Sequence, residues 1–358
     1  MNLGNPSSEE VVEPKDEGAA AIIPEADTKG YIERQMIRDL RTEIRSDLRA
    51  ESRSQALKEV ITEAIGKLEP IKIDYNPKHS DEVEANDRSL VVVLGDFHYG
   101  ADITVMGFEG EVVNSYSPSI FDEYMRNLME QLIDIVIKEQ VSNIVVMFVG
   151  DLIDGMLRDS QLMRLKLGIV DSTISLSEYL ASWLVALAEY TERRVEVYAC
   201  TGNHSEIRPL GSKARQFEDE NMERIIMWFL RERLMSSSRV LIHPFTDRRV
   251  LAKVQGYNFL LLHGDGASYK TISEIARDTV NLYGKPIDYF VCGHLHNEAS
   301  IQSGKTKDGQ SYIIRVPSFC GMDGYAQSKE LGGDPGAIAM VIEKGYGRRC
   351  VYPIRVKY

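Results

Sequence analysis

Five apolar runs in this 358-residue chain end alike, at a Gly or His within a cluster of Asp, Asn and His. Leu90 to Leu94 runs into Gly95-Asp96-Phe97-His98, and Ile144 to Val149 into Gly150-Asp151-Leu152-Ile153-Asp154. Val195 to Cys200 leads to Thr201-Gly202-Asn203-His204, Phe259 to Leu262 to His263-Gly264-Asp265, and Tyr289 to Cys292 to Gly293-His294-Leu295-His296. Short runs of this kind read as strands with buried faces, and glycine lets the backbone turn sharply at the tip. In open α/β sheets ligands sit beyond the carboxyl ends of the strands, so side chains placed there are candidates for chemistry rather than packing. Five of the seven histidines fall in these tips.

Between the tips, helices are predicted at about 121–139, 175–190 and 216–234, alternating with strands at 144–149 and 195–200. Strands dominate afterwards, at 240–242, 250–254, 259–262, 289–292, 312–316, 337–342 and 351–356. An α/β half followed by a strand-rich half predicts two packed β-sheets flanked by helices. The stretches 101–119 and 321–336, the latter rich in Gly, are expected to be loops that shape a pocket. His243, on a strand before Pro244, reads as structural.

The N-terminal region has a different character. Residues 1–29 are rich in acidic residues, Pro, Gly and Ala without a sustained period, which predicts a disordered acidic tail. Residues 30–69 read as a long charged helical segment in which Ile32, Met36, Ile37, Leu40, Ile44 and Leu48 recur mostly at spacings of three and four. Arg34, Arg38, Arg41, Arg45 and Arg49 form a stripe, and Asp39, Glu43 and Asp47 are never three or four residues from them. Either a solvated face or a surface for oligomerisation or partner binding through residues 31–68 fits this pattern. Residues 70–88 read as a linker and 89–358 as the globular domain.

The formal net charge of −12 opposes nonspecific attraction to a polyanion, so any nucleic-acid contact must be local or metal-assisted. No apolar run is long enough to span a bilayer, and Met1 to Glu10 has no basic or apolar segment. A soluble cytoplasmic protein with no membrane partner is expected. The four cysteines are dispersed without a Cys-x-x-Cys pair, which argues against a structural zinc site or a disulfide framework. The mixed carboxylate, amide and imidazole set instead fits a two-metal site.

The order Asp-x-His, Gly-Asp-x-x-Asp, Gly-Asn-His, His, Gly-His-x-His resembles that of the calcineurin-like metallophosphoesterase superfamily, closest in motif style to its repair-type nucleases. The resemblance implies a four-layer αββα sandwich that hydrolyses phosphate esters with two divalent metal ions. Asp96, His98 and His296 would then hold one metal, and Asn203, His263 and His294 the other, with Asp151 bridging. His204 would donate a proton to the leaving oxygen, oriented by Asp154. Manganese is the expected pair, with iron and zinc as alternatives for the same ligands. Arg208 and Arg158 are candidates for gripping substrate phosphate, as are Arg164, Lys166, Lys213 and Arg215.

Two departures matter. Gly155 follows Asp154 where phosphoprotein phosphatases of the superfamily continue toward an Arg, which argues against that branch. Ser205 replaces the usual acid after Gly-Asn-His, with Glu206 one position later. The leading expectation is a phosphodiesterase, a nuclease acting on DNA. A phosphatase or phosphodiesterase for small nucleotides and a metal-stabilised scaffold without activity are the alternatives.

Overall fold

The computed structural model describes residues 87–155, 164–207, 219–245, 248–265, 274–275, 277–278, 280–281, 284–306, 309–328 and 332–357, together with 36, 38, 59, 62–69 and 71. Residues 1–64 and 65–358 form separate units. In the first, Met36, Arg38, Glu59 and residues 62–64 are helical; the expected tail and the other arginines of the stripe lie outside the described residues.

In the second unit, β1 (Arg88–Leu94), β4 (Asn143–Phe148), β5 (Arg194–Ala199) and β6 (Val240–Ile242) run parallel in one sheet. It is extended beyond β1 by the antiparallel β12 (Gly336–Glu343) and β13 (Gly347–Arg355), giving the order β13-β12-β1-β4-β5-β6. A second sheet has the order β10-β11-β9-β8-β7, from β7 (Arg249–Val254), β8 (Tyr257–Leu262), β9 (Tyr289–Cys292), β10 (Ala299–Thr306) and β11 (Gly309–Arg315). Side chains alternate along strands buried on both faces, and one set packs the two sheets together. Val91, Val93, Val145 and Met147 of the first meet Ala252, Phe259, Leu261 and Val291 of the second in one buried cluster.

The alternate residues face outward onto further apolar surface. Phe148 lies against Phe97, which in turn touches Phe121 of helix α1 (Pro118–Glu139), with ring centroids 5.9 and 5.3 Å apart. Helix α1 starts where the Ser117 side chain accepts from the Ile120 amide and Pro118 occupies the first turn. Trp183 of α2 (Ile169–Thr191) donates to the Met125 carbonyl at 3.1 Å, tying α2 to α1. Helix α3 (Met222–Leu234) is capped by Asn221. On the far side of the second sheet, Leu260, Leu262, Phe290 and Ile313 bury Ile275 from a helical stretch. The molecule thus has the predicted sandwich of two sheets flanked by helices.

Register sets the position of the tips. Leu94, Phe148 and Ala199 are direct neighbours at the carboxyl ends of three parallel strands, and Leu261 pairs with Val291 near the ends of β8 and β9. The stretch expected to be a loop at 101–119 is instead largely a hairpin, β2 (Ile103–Met106) with β3 (Val112–Tyr116), whose burial alternates along β2. The Gly-rich stretch at 321–336 contains a short helix, α4 (Gly324–Ser328). Helix α2 begins at Ile169, earlier than predicted, because Gly168 has no capping side chain to mark its start.

Candidate metal centre

The loop after β1 is anchored by its middle residue. Phe97 is fully buried, with its ring 5.0 Å from that of Phe319, while Asp96 and His98 on either side both adopt left-handed backbone, at φ 52° and 44°. Asp151, His294 and His296 are left-handed as well, at φ 55°, 66° and 54°. These five are among only eight non-glycine residues with positive φ in the described residues. Such conformations cost on the order of 1 kcal/mol or more each and persist where surrounding structure over-determines them. Glycines make room for the carboxylates: a Cβ on Gly202 would strike Asp151, and one on Gly293 would strike Asp96.

Backbone bonds then tie the tips of the two sheets together. His98 donates its amide to the Asp151 carbonyl at 3.0 Å, the Gly293 amide donates to the His263 carbonyl at 3.0 Å, and the His294 amide donates to both Asp96 oxygens at 3.2 and 3.0 Å. Asp151 Oδ1 accepts from the His204 amide at 2.7 Å. Its Oδ2 lies 3.0 Å from His263 Nε2, which is also 3.1 Å from Asn203 Oδ1 and 3.2 Å from His294 Nδ1. All seven residues expected to hold metal are therefore brought to one place. Ligand atoms of Asp96, His98 and His296 form one group within 4.8 Å, and those of Asp151, His263 and His294 another; Asp151 also groups with His98 and His204.

The donor chemistry fits divalent cations. His263 Nδ1 is 2.8 Å from the Val149 carbonyl, which can only accept, so that nitrogen carries a proton and Nε2 is left facing lone pairs of Asp151 and Asn203. Lone pairs converging in this way need a positive charge between them. Without a metal the charge must come from protons. Burial disfavours the His263 cation, yet Asp151 and Asp96 override it and push the imidazole up to about 10. Burial likewise opposes ionisation of Asp151, but His263, His204 and His98 hold its carboxyl well below the usual range. Asp96, dominated by burial, is pushed up to about 6. Burial and neighbouring imidazoles lower His294 to about 4 and His296 to about 3, leaving both neutral as metal ligation requires. Nε2 of His98 and Nδ1 of His296 are buried without a hydrogen-bond partner, and Nδ1 of His98 approaches only Asp154, at 3.5 Å, a costly arrangement that cation binding would relieve.

Beside the cluster, His204 Nδ1 is 3.0 Å from Asp154 Oδ1, and the His204 side chain is 21% exposed against 0% for Asp154. Arg164 grips Asp154 with two bonds, Nε to Oδ2 at 2.6 Å and Nη2 to Oδ1 at 2.9 Å, and reaches Asp323 at 3.0 Å. Burial would raise the Asp154 carboxyl, but contacts from His204, His98 and Arg164 hold it low and ionised. Asn114 of the β2–β3 hairpin donates to the carbonyls of Cys320 and Met322, joining the hairpin to the loop that carries Asp323. Arg164 thus serves the Asp154 carboxylate rather than standing ready for a phosphate. Lys166 is 3.6 Å from the exposed Asp102. Arg158 and Arg208, with Lys213 and Arg215, lie outside the described residues. His243 stacks on Tyr198 at 3.9 Å and pairs with Glu196, in keeping with a structural role.

The motifs do not include Glu223, in the first turn of α3. It is buried, and it accepts from the Leu152 amide at 2.7 Å, the Gly202 amide at 2.8 Å and the Ser205 hydroxyl at 2.7 Å. The sequence signal available for it was slight: Asn221 two residues before it is a capping residue, and acids favour first turns.

A family model described as calcineurin-like phosphoesterase matches residues 89–298. Among curated proteins the chain is similar to the SPbeta prophage-derived uncharacterized protein YonJ of Bacillus subtilis (strain 168), 27% identical over 295 residues that cover 82% of this chain and 70% of that protein. Among solved structures it is similar to Vps29 of Entamoeba histolytica complexed with zinc, at 10% identity and TM-score 0.32, covering 75% of this chain and 99% of the other. A metallophosphoesterase from Sphaerobacter thermophilus gives 15% identity and TM-score 0.29, covering 75% of this chain and 89% of the other.

Proposed function

The chain belongs to the calcineurin-like phosphoesterase family, and from that premise we propose that this metal-dependent phosphoester hydrolase is a two-metal phosphodiesterase, a nuclease acting on DNA. Asp96, His98 and His296 would hold one divalent cation and Asn203, His263 and His294 the other, with Asp151 shared and manganese the expected metal. The chemistry such a pair would supply there is neutralisation of phosphate charge and a lowered pKa for a shared water. The chain's own contribution to bond cleavage is His204. Its Nδ1 is held by Asp154, so Nε2 is the nitrogen that passes a proton to the departing oxygen. Arg164 keeps Asp154 ionised and oriented for that task.

Among the described residues, the pairing of the arginines near the site supports the preference for a diester. Arg164 is engaged by Asp154 and Asp323, and Arg248 pairs with Asp265 at 2.5 Å, two residues beyond His263. A monoester brings a second phosphate charge that a guanidinium would have to balance, whereas a diester brings one. The choice of DNA is supported by motif style, Gly150-Asp151-Leu152-Ile153-Asp154 with Gly293-His294-Leu295-His296.

Purified protein with manganese should cleave bis-p-nitrophenyl phosphate and DNA, linear or circular, faster than p-nitrophenyl phosphate. Turnover of the monoester alone would overturn the nuclease reading. Diester cleavage with no action on DNA would point to small nucleotides, and two bound metals with no turnover to a scaffold.

A further inference from the structure

Glu223 is distant in sequence from every motif, yet its carboxylate lies between the two loops that carry the central ligands. Leu152, whose amide it accepts, directly follows Asp151; Gly202, whose amide it also accepts, directly precedes Asn203. The third donor is the hydroxyl of Ser205, the residue directly after His204. Further bonds key the start of α3 into the same turn. The Asn221 side chain donates to the Gly202 carbonyl at 2.8 Å and accepts from the Glu223 amide at 2.9 Å, and the Met222 amide donates to the Ser205 carbonyl at 2.9 Å.

We infer that Glu223 is the positioning residue of the metal centre, holding Asp151 and Asn203 from helix α3 at the spacing a shared metal pair needs. The inference rests on the two-metal reading and adds a residue to it. Its physical basis is stoichiometric: one carboxylate satisfies two buried amides from two loops, and only a group with two acceptor oxygens can do so while also receiving a hydroxyl. Glutamine cannot replace it, because its NH2 would face one of those amide donors. Aspartate on the helix is one methylene shorter and would not span both loops. An aspartate at position 205 starts from the other side of the same hydrogen bond, so it should restore a carboxyl acceptor where the glutamate is removed.

The test compares four full-length proteins: the natural chain, Glu223→Gln, Ser205→Ala, and the double variant Ser205→Asp with Glu223→Ala. Titration with Mn2+ and Zn2+ by calorimetry should show Glu223→Gln losing roughly 10- to 100-fold in affinity, the range for residues that orient metal ligands. Ser205→Ala, which removes one of three bonds, should lose less. The double variant should recover at least about tenfold of what Glu223→Gln loses, a rescue that helix packing alone would not produce. In the metal-free proteins, amide exchange at Leu152 and Gly202 should accelerate in Glu223→Gln and slow again in the double variant.

Natural affinity and exchange in a folded Glu223→Gln would overturn the inference, as would a folded double variant without recovery. If Glu223→Gln does not fold, the double variant decides: folding with metal affinity supports the inference, and failure overturns it. If the natural chain itself bound no metal, the two-metal reading would fall, and amide exchange would still report whether Glu223 holds both loops.

Discussion

The two halves of the metal centre satisfy their polar atoms differently. Around His263 the contacts are tight, 3.0 Å to Asp151 and 3.1 Å to Asn203, and a hydrogen bond to the Val149 carbonyl fixes the ring. Around His98 they are slack: His296 Nε2 is 3.7 Å from Asp96, His98 Nδ1 is 3.5 Å from Asp154, and His98 Nε2 lacks a hydrogen-bond partner. The first half can accept a proton in place of a cation, because two aspartates surround one imidazole whose cation they favour. In the second half burial and mutual repulsion keep His296 neutral, while against the cost of burial Asp154, Asp151 and Asp96 favour the His98 cation. Hydrogen bonds therefore preorganise the His263 half more tightly than the His98 half.

The most severe way to break this contrast is Asp151→Asn, which removes the oxygen donor common to both halves. Metal affinity should fall by more than the about 100-fold that a supporting residue costs, and bound metal measured by elemental analysis should drop below one ion per chain. Next comes His204→Asn, which should leave both metals bound while slowing hydrolysis of diesters with poor leaving groups by roughly 10²- to 10⁴-fold. Full activity on such a substrate would remove the proton-donor role.

Chelation probes the slack half. Adding metal at about 100 times its dissociation constant should stabilise the natural protein by roughly 2.7 kcal/mol, read from denaturant melts. In His98→Ala that gain should shrink more than it does in Glu223→Gln, since a ligand rather than its support is lost. The smallest effect sharpens the comparison from the other side. In the metal-free chain His263, pushed up to about 10, is still protonated near pH 8, so metal entering there must expel a proton. Affinity at that site should rise roughly tenfold per pH unit below about 10, while His294 and His296, neutral already, contribute no protons. Calorimetry in buffers of different ionisation enthalpy would count about one proton released, and a count of zero would contradict the charge assignment.

Much of this was legible in the chain because strand tips combine two local signals, an apolar run and a glycine, with residue types that seldom coincide by chance. Asp96, Asp151 and His263 could be placed from such patterns alone. Arg164 and Asp323 could not. Arg164 reads as a candidate grip on substrate phosphate and Asp323 as an ordinary surface charge, and only folding brings them together over Asp154. Glu223 was hidden for a related reason: a first-turn glutamate on an amphipathic helix has an adequate local explanation, and its partners lie 18 to 71 residues away. The β2–β3 hairpin was passed over because its strands are short and its turn charged, so that its role as a strut to the 320s loop through Asn114 depends wholly on long-range contacts. Strand β10 is largely exposed and polar, with no apolar run to announce it.

The left-handed backbone at Asp96, His98, Asp151, His294 and His296 has one more consequence. Aspartate and histidine are enriched several-fold among the few non-glycine residues that tolerate this conformation. The alphabet that can bend the tips is thus nearly the same as the alphabet that can chelate. A β-branched residue at these corners would meet a conformational obstacle before any chemical one, so torsion angles as well as affinity for a cation narrow what these corners can hold.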